Sequence, residues 1–306
     1  MKRRDAHRRA IDGVLYLDKP IGVSSNHALQ EVKRLYFAKK AGHTGSLDPL
    51  ATGLLPICFG RATKFSQYLL NSDKAYAVTA KLGIRTTTSD AEGEIVQECD
   101  VPSLTLKKID KQFDAFRGAI KQTPSMFSAL KKDGVPLYKL ARQGITVERE
   151  ARDITVYSLD VLDYDKEQHE VKFTLRCSKG TYVRTIVDDF GQQLGCGAHV
   201  TKLRRTGVGS LDATTMVTMD ELRDLKERDE FAAMDALVKP VDVILESWPS
   251  VTLASSTAFY LKQGNPVMVP HAPTSGWVRF NSQDGVFIGI GEVLDNGMVA
   301  PRKIIE

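Results

Sequence analysis

The most distinctive segment of the sequence, residues 41–56, reads Ala41-Gly42-His43-Thr44-Gly45-Ser46-Leu47-Asp48-Pro49-Leu50-Ala51-Thr52-Gly53-Leu54-Leu55-Pro56. It holds three glycines, two prolines, one histidine and one acid within sixteen residues, between a basic helical pattern and an apolar run. Glycine allows left-handed or closely approaching backbone, and proline fixes φ and removes a hydrogen-bond donor. The sequence therefore predicts a rigid loop that presents the single carboxylate of Asp48, which we expect to be the catalytic group.

Strand-like and helix-like patterns alternate on both sides of this loop. Residues 14–17, 76–83, 154–162 and 170–178 have the apolar content or alternation of strands. Apolar residues recur at helical spacing after Ser24 and over 104–118 and 185–194. The pattern predicts an α+β fold without fixing its topology.

The length of 306 residues suits one large core and one small core. Pro240 and the run Ser247-Trp248-Pro249-Ser250 punctuate the chain and indicate a boundary. Short β-like runs separated by glycine and proline follow it, as in a small barrel or sandwich. We therefore expect a flexible basic tail over 1–12, a catalytic domain over 13–248 and a small all-β domain over 249–306.

The net charge of +4 is unevenly spread along the chain. Residues 121–152 alone carry seven basic and three acidic side chains, whereas the charges balance from residue 250 onward. A polyanion would therefore be gripped mainly by the earlier part of the chain. We expect 121–152 to be an inserted basic arm made of loop, short helix and loop.

Several classes of protein are disfavoured by the sequence. No apolar run reaches the roughly 18 residues that a membrane span needs, and charges interrupt the apolar run after the basic start too early for a signal peptide. The nearest pair of the four cysteines is nineteen residues apart, so zinc-ligand spacing is absent. We expect a cytoplasmic protein with reduced cysteines, no metal and no membrane association.

The loop by itself leaves its function open. It lacks the Gly-Lys-Ser/Thr of a phosphate-binding loop, and the chain has neither a GxSxG elbow nor an HExxH motif. A phosphate-binding hydrolase is therefore a weak interpretation. A lone aspartate before proline is usually a turn former, and only further motifs favour catalysis.

Those further motifs occur in order along the chain. Leu17-Asp18-Lys19-Pro20 and residues 42–53 resemble the pseudouridine synthases, and among them the bacterial TruB family. The similarity extends through residues 73–76, 122–131, 178–185, 195–199 and 203–205. It implies an α+β catalytic domain around a mixed, largely antiparallel sheet, a PUA-like C-terminal domain and a monomeric protein.

The resemblance also implies an activity. The expected reaction is the isomerisation of the uridine at position 55, in the TΨC loop of tRNA, to pseudouridine. Uracil is detached from the ribose at N1 and reattached through C5, without a cofactor or a metal. The expected partner is the TΨC stem-loop of tRNA, gripped by the basic arm, with the target base flipped out of its stack.

Three residues match the family's catalytic positions. Asp48 matches the catalytic carboxylate, and Arg184 matches its ion-pair partner, which we expect to lower the pKa of Asp48. Tyr76 matches the aromatic residue that stacks on the target base and assists proton transfer.

Other matches concern binding of the base. His43 matches a residue that fills the space vacated by the flipped base, and Tyr182 and Leu203 match residues that line the base pocket. Lys19 and Pro20 match a motif that we expect to support the loop. Without the resemblance, His43 would be interpreted as a structural hydrogen-bonding residue, and Tyr182 and Leu203 as core residues.

A second function from another class stays open at this point. The basic arm and the flipped-base pocket also fit a non-catalytic protein that binds RNA and assists its folding, and the two functions could coexist. Isomerisation by an Asp48→Asn variant would separate them.

Overall fold

The computed structural model describes residues 8–305. Its strands are β1 Gly13–Lys19, β2 Ala41–His43, β3 Thr52–Phe59, β4 Lys74–Leu82, β5 Ile84–Thr86, β6 Ile95–Glu98, β7 Gly118–Gln122, β8 Lys131–Lys132, β9 Val135–Pro136, β10 Arg152–Asp165, β11 Glu170–Cys177, β12 Ala198–Val208, β13 Leu211–Asp212, β14 Val217–Thr218, β15 Ser250–Leu253, β16 Gly276–Ser282, β17 Phe287–Val293 and β18 Val299–Ile304. The α-helices are α1 Ser25–Leu35, α2 Ser66–Asn71, α3 Leu106–Phe113, α4 Leu137–Ala141, α5 Val183–Gln193, α6 Met219–Glu227, α7 Phe231–Ala236 and α8 Ser255–Lys262. Short 3-10 helices cover Gly60–Lys64, Asp114–Phe116, Ala213–Thr215 and Val241–Leu245.

A ten-stranded mixed sheet forms the body of the molecule. Its order is β14-β1-β3-β12-β4-β11-β10-β7, with β13 beside β12 and β2 beside β3. Only the β1–β14 and β3–β12 pairs of this sheet are parallel. The prediction of an α+β fold with a mixed, largely antiparallel sheet is confirmed.

Both faces of this sheet are covered, as the alternation along β1 shows. Leu15 and Leu17 face the larger core, which includes side chains of α1, α3, α5 and α6. Val14 and Tyr16 face a second core, to which α2 and the 3-10 helix Val241–Leu245 contribute. Successive residues of a strand point to opposite faces, so one strand serves two cores.

The centre of the sheet lies where β3 meets β12, and this is where the loop described above ends. Gly53 pairs with Arg205 at this junction. Gly53 has φ +94°, and a Cβ there would lie 2.3 Å from the Arg205 carbonyl oxygen. Only glycine allows this approach of the two strands.

The C-terminal unit is a four-stranded sheet with the order β15-β16-β17-β18 and the helix α8. We expected only strands here, and α8 corrects that expectation: Ala258 and Leu261 lie on one helical face and pack on the unit's core. Ile290 belongs to the second core described above, and the ring of Phe287 lies 5.5 Å from that of Phe65. The domain boundaries at 12 and 248 stay a prediction.

Part of the predicted flexible tail is fixed. Residues 1–7 lie outside the described residues, but the Arg9 backbone N–H donates to Phe37 O at 2.7 Å. The Asp12 carboxylate accepts from Arg61 Nε at 2.7 Å, and Ile11 packs against the main core. Arg9, Ile11 and Asp12 therefore contact the body of the molecule through a backbone hydrogen bond, a partly buried side chain and an ion pair, which differs from the expectation of a flexible tail.

The basic arm contains β8, β9 and the short helix α4, close to the predicted loop, helix and loop. Arg149 Nη1 donates to Pro124 O at 3.0 Å and closes the base of the arm. No helix within residues 8–305 is both long and apolar enough to cross a membrane.

Candidate active site

The loop that carries Asp48 is tied to its neighbours through the residues on either side of that acid. The Ser25 hydroxyl accepts a hydrogen bond from Leu47 N at 2.7 Å and donates one to Leu47 O at 3.0 Å. Pro49 O accepts from Gly22 N at 2.9 Å and from Lys19 Nζ at 3.3 Å. Asp48 is therefore held between two fixed neighbours.

Lys19 lies at the end of β1 and is fully buried. Its ammonium also donates to Pro20 O at 2.8 Å and to Val23 O at 2.7 Å. Burial lowers the pKa of Lys19 to about 8, and the nearby carboxylates of Asp48 and Glu92 oppose that shift. Lys19 thus supports the loop, as expected.

Asp48 forms an ion pair with Arg184, which lies in the first turn of α5. Arg184 Nη2 is 2.8 Å from Asp48 Oδ2, and the arginine side chain is only 7% exposed. Arg184 Nη1 lies 3.1 Å from Asp90 Oδ2, and the guanidinium also donates to Thr88 O and Phe127 O. The buried guanidinium is thus shared by two carboxylates, of which Asp90 carried no prediction.

Arg184 lowers the pKa of Asp48, as expected, but the net shift of that pKa is upward. Partial burial raises it, Arg184 opposes that rise, and the carboxylate of Asp90 adds to it. The expectation of a lowered pKa took account of the arginine alone, whereas removal of the carboxylate from water has the larger effect.

A cavity of about 280 Å³ opens beside this ion pair. Its wall includes five of the six predicted site residues: Asp48, Tyr76, Tyr182, Arg184 and Leu203. Ser46, Leu47, Ala51, Ser128, Ala129, Thr181 and Val183 complete it. The structure thus places one carboxylate and two aromatic side chains around one small space.

Tyr76 and Leu203 reach the cavity from neighbouring strands. On the β4–β12 pair, Tyr76 lies opposite Arg205, and Val78 lies opposite Leu203. Residues two apart on a strand share a face, so both side chains project to the same side. Burial raises the pKa of the Tyr76 hydroxyl, and the guanidinium of Arg205 opposes that rise.

Tyr182 precedes α5 and is held by a side chain for which we predicted no role. Gln122 is buried; its Nε2 donates to Tyr182 O at 2.9 Å, and its Oε1 accepts from Tyr182 N at 2.8 Å. This two-point amide contact fixes the backbone from which the tyrosine enters the cavity. The only sequence signal for it is the position of Gln122 at the start of the 122–131 motif.

His43 is outside the wall of this cavity. It lies on β2 opposite Ile57, and burial lowers its pKa, with a further lowering by the positive charge of Arg205. Its buried Nδ1 has no hydrogen-bond partner among residues 8–305. His43 is therefore not among the residues that line this cavity.

Within residues 8–305, no group of three or more His, Cys, Asp or Glu side chains is placed to hold a metal ion.

The fold and sequence were compared with known proteins. A chain in the crystal structure of a Cbf5–Nop10–Gar1 complex superimposes with a TM-score of 0.73 at 25% identity, over 95% of this chain and 84% of that one. Residues 33–183 match the N-terminal domain of TruB family pseudouridylate synthase. Residues 184–246 match the tRNA pseudouridylate synthase B C-terminal domain, and 249–305 match the C-terminal domain of pseudouridine synthase II TruB. The class defined by these matches is the pseudouridine synthases.

Relatives that match nearly the whole chain identify the family within this class. A tRNA pseudouridine synthase B of Coxiella burnetii (strain RSA 331 / Henzerling II) is 54% identical over 299 residues, which are 98% of this chain and 96% of the relative. Another, of Pseudomonas aeruginosa (strain UCBPP-PA14), is 53% identical over 298 residues, covering 97% of each chain. The chain belongs to the TruB family of pseudouridine synthases, which isomerise uridine to pseudouridine.

Proposed function

We propose that this chain converts the uridine at position 55 of tRNA, in the TΨC loop, to pseudouridine, with Asp48 as the catalytic carboxylate. The observation that carries this proposal is the Asp48–Arg184 ion pair, which lies at 2.8 Å in the wall of a cavity of about 280 Å³. The relatives named tRNA pseudouridine synthase B support tRNA as the substrate.

The reaction is balanced without another reactant. The bond between N1 of uracil and C1′ of ribose breaks, a bond between C5 and C1′ forms, the C5 proton leaves and N1 gains a proton. An ionised Asp48 can act on the base or on the ribose. The guanidinium of Arg184 favours the ionised form of this carboxylate.

The cavity fits a single base better than a nucleotide chain, since its volume is at the lower end of the range for small-ligand pockets. Flipping the target uridine out of a folded loop costs a few kcal/mol. Stacking on Tyr76 offsets about 1–3 kcal/mol of that cost, and Tyr182 and Leu203 enclose the base. In this proposal His43, which is outside the cavity wall, contacts the RNA that the base has left.

Affinity for the RNA comes mainly from the basic arm in this proposal. Lys131, Lys132 and Lys139 are exposed on the arm, where they can contact phosphates. The C-terminal unit, with its balanced charge, makes the smaller contribution. We propose that the protein acts as a monomer in the cytoplasm, where tRNA is processed.

A second role in RNA folding is favoured by the position of the exposed lysines of the arm. The exposed lysines of the arm are not part of the cavity wall, so they can bind RNA whether or not Asp48 reacts. An Asp48→Asn variant should therefore keep any ability to refold a misfolded tRNA.

The position of the modified base tests the substrate assignment. Intact protein is incubated with an unmodified tRNA transcript, and pseudouridine is mapped by reverse-transcription stops after carbodiimide treatment. We expect one stop, at position 55, and none when that uridine is replaced by cytidine. A stop at another position, or in the substituted transcript, would contradict the proposal.

A further inference from the structure

Ser128 carries a hydroxyl that has no partner in the wall of the cavity. The residue is 3% exposed and belongs to the wall that Asp48, Tyr76 and Arg184 also form. Its buried Oγ has no hydrogen-bond partner among residues 8–305. Buried polar groups of native proteins are nearly always hydrogen-bonded, so an exception of this kind requires a reason. A molecule that enters the cavity can supply the missing partner.

The backbone on both sides of this hydroxyl is fixed. Phe127 O accepts a hydrogen bond from Arg184 Nη2 at 3.0 Å, so the guanidinium that pairs with Asp48 also holds the residue before Ser128. Ser128 O accepts from Tyr138 N, in the first turn of α4, at 3.1 Å. The hydroxyl therefore has a defined place relative to the Asp48–Arg184 ion pair, although it belongs to the basic arm.

The polar neighbours of Ser128 in the wall are engaged with other groups. Ser128 and Arg184 are the buried polar side chains of this wall, and the guanidinium already has two carboxylates and two carbonyl oxygens as partners. Thr181 Oγ1 donates to Ser178 O at 3.0 Å. Ser128 lies close enough to the Tyr182 phenol to lower its pKa, yet the Ser128 oxygen satisfies no hydrogen bond among residues 8–305. Its donor and acceptor capacity is therefore available to a ligand.

Uracil has an edge that matches this hydroxyl. The base carries two carbonyl oxygens, O2 and O4, on either side of N3–H, and a serine hydroxyl can donate to either oxygen. Replacement of the N1–C1′ bond by a C5–C1′ bond corresponds to a half-turn of the ring about the axis through N3 and C6, which exchanges O2 and O4. A donor on one side of that axis therefore meets a carbonyl oxygen both before and after the rearrangement.

We propose that Ser128 binds the target base: its hydroxyl donates a hydrogen bond to a carbonyl oxygen of the uracil in the cavity. Burial of a hydroxyl without a partner is costly, and entry of the base removes that cost. The basic arm then makes two kinds of contact, since its exposed lysines reach phosphates and Ser128 reaches the base. This inference rests on the proposed function, in which a uridine enters the cavity.

The stability of the free protein separates base binding from a structural role. Because the Ser128 hydroxyl has no partner, Ser128→Ala loses no hydrogen bond, and its urea midpoint should stay the same or rise. Ser125→Ala is the matched control in the same segment: Ser125 Oγ accepts from Phe127 N at 3.1 Å, so its loss should lower the midpoint. A midpoint of Ser128→Ala that falls as far as that of Ser125→Ala would overturn the inference.

The rate of the reaction should respond in the opposite sense. Tritium release from uracil C5 of tRNA is measured in single turnover with saturating enzyme. Ser128→Ala should slow release roughly three- to tenfold, as the loss of one hydrogen bond does. Ser66→Ala, which removes a hydroxyl on α2 that donates to Thr63 O outside the cavity wall, should leave the rate unchanged. An undiminished rate in Ser128→Ala would overturn the inference.

Thio-substituted substrates test the contact itself. A tRNA with 2-thiouridine or 4-thiouridine at the target position has sulfur, a weaker acceptor, in place of one carbonyl oxygen. Isomerisation at saturating enzyme is followed by chromatography of the nucleosides. We expect at least one of the two substitutions to slow the intact protein at least threefold more than it slows Ser128→Ala, whose donor is already gone. Equal effects of each substitution in the two proteins would overturn the inference.

The outcomes also separate this inference from the proposed function. No tritium release by the intact protein would contradict the proposed function itself. Release by the intact protein and, at the same rate, by Ser128→Ala would contradict only the role of Ser128, while leaving Asp48 as the catalytic group.

Discussion

At the scale of single residues, the site depends on the guanidinium of Arg184, which two carboxylates share. Arg184 is 2.8 Å from Asp48 and 3.1 Å from Asp90, and Asp90 is far more buried than Asp48, whose side chain is 45% exposed. Partial removal of the Asp48 carboxylate from water opposes its ionisation, and the arginine favours it. The Asp48 carboxylate is therefore accessible from the cavity, and Arg184 is the group that most favours its ionised form.

Arg184→Met should move the acidic limb of the pH–rate profile to higher pH. The pKa of Asp48 is already above its ordinary value, and loss of the cation that lowers it raises it further, so less of the carboxylate is ionised at a given acidic pH. The measurement is the single-turnover rate across acidic and neutral pH. Arg223→Met, which removes an exposed arginine paired with Glu31 and Asp220, is the control. An acidic limb that stays in place in Arg184→Met would contradict the assignment.

The resemblance of the motifs predicted most of the side chains in the site, but it did not predict the residues that hold those side chains in place. Asp48, Arg184 and Tyr182 each carry a residue type that the chemistry uses, within a specific motif. Asp90 and Gln122 act through contacts 94 and 60 residues away in sequence, with Arg184 and Tyr182. Such contacts depend on the register between strands and loops, which one sequence does not fix.

At the scale of elements, the loop of Asp48 is positioned by the start of α1. Ser24 accepts from His27 N at 3.2 Å and caps the helix, whereas the side chain of Ser25 is directed to Leu47. Of these two adjacent serines, Ser24 therefore caps the helix and Ser25 holds the loop. The helix start was predictable from the capping residues, but the contact with the loop was not, because it spans 22 residues.

Ser25→Ala and Ser24→Ala should separate these two contributions. Ser25→Ala leaves the buried N–H and C=O of Leu47 without partners, which costs about 1–3 kcal/mol in the free energy of unfolding, and it loosens the loop and lowers the single-turnover rate. Ser24→Ala removes a helix cap at a cost of about 1 kcal/mol and leaves the rate unchanged. Urea unfolding and tritium release measure the two effects. An equal loss of rate in both variants would show that the loop is not held by Ser25.

Arg205 illustrates how a strand can bury a charged side chain. Leu203 and Arg205 alternate on β12, so a buried leucine indicates that the arginine two residues on is buried as well. In the sequence, the run of Lys202, Arg204 and Arg205 is more simply a basic surface. Only the pairing of β12 with both β3 and β4 shows that one of these cations is internal.

At the scale of the whole molecule, the exposed lysines of the basic arm lie outside the cavity wall, whereas Ser128 and Ala129 of the same arm belong to it. The catalytic loop lies at the centre of the ten-stranded sheet, and the basic arm leaves from β7 at the sheet edge. The α+β class and a structurally distinct C-terminal unit were predictable from patterns and punctuation. The strand order was not, nor was α8, because its short apolar face gives little periodic signal.

Replacing Lys131 and Lys132 by alanine should weaken RNA binding and reduce its salt dependence. If both contact phosphates, the slope of log K against log salt should fall in magnitude by about 1.4 to 1.8, since each phosphate contact contributes about 0.7 to 0.9. Tritium release at saturating RNA should change little. Lys107 and Lys108, an equally exposed pair on α3, provide the control double variant. An unchanged slope would remove these lysines from the RNA-binding surface.

The central claim is that Asp48 performs the isomerisation, and tritium release from a tRNA transcript labelled at uracil C5 tests it most directly. Formation of the bond between C5 and C1′ must expel the C5 hydrogen, so the signal reports the chemistry and not the binding. The intact protein should release tritium, and Asp48→Asn should release none while it still binds the tRNA. Release by Asp48→Asn at the rate of the intact protein would contradict the account.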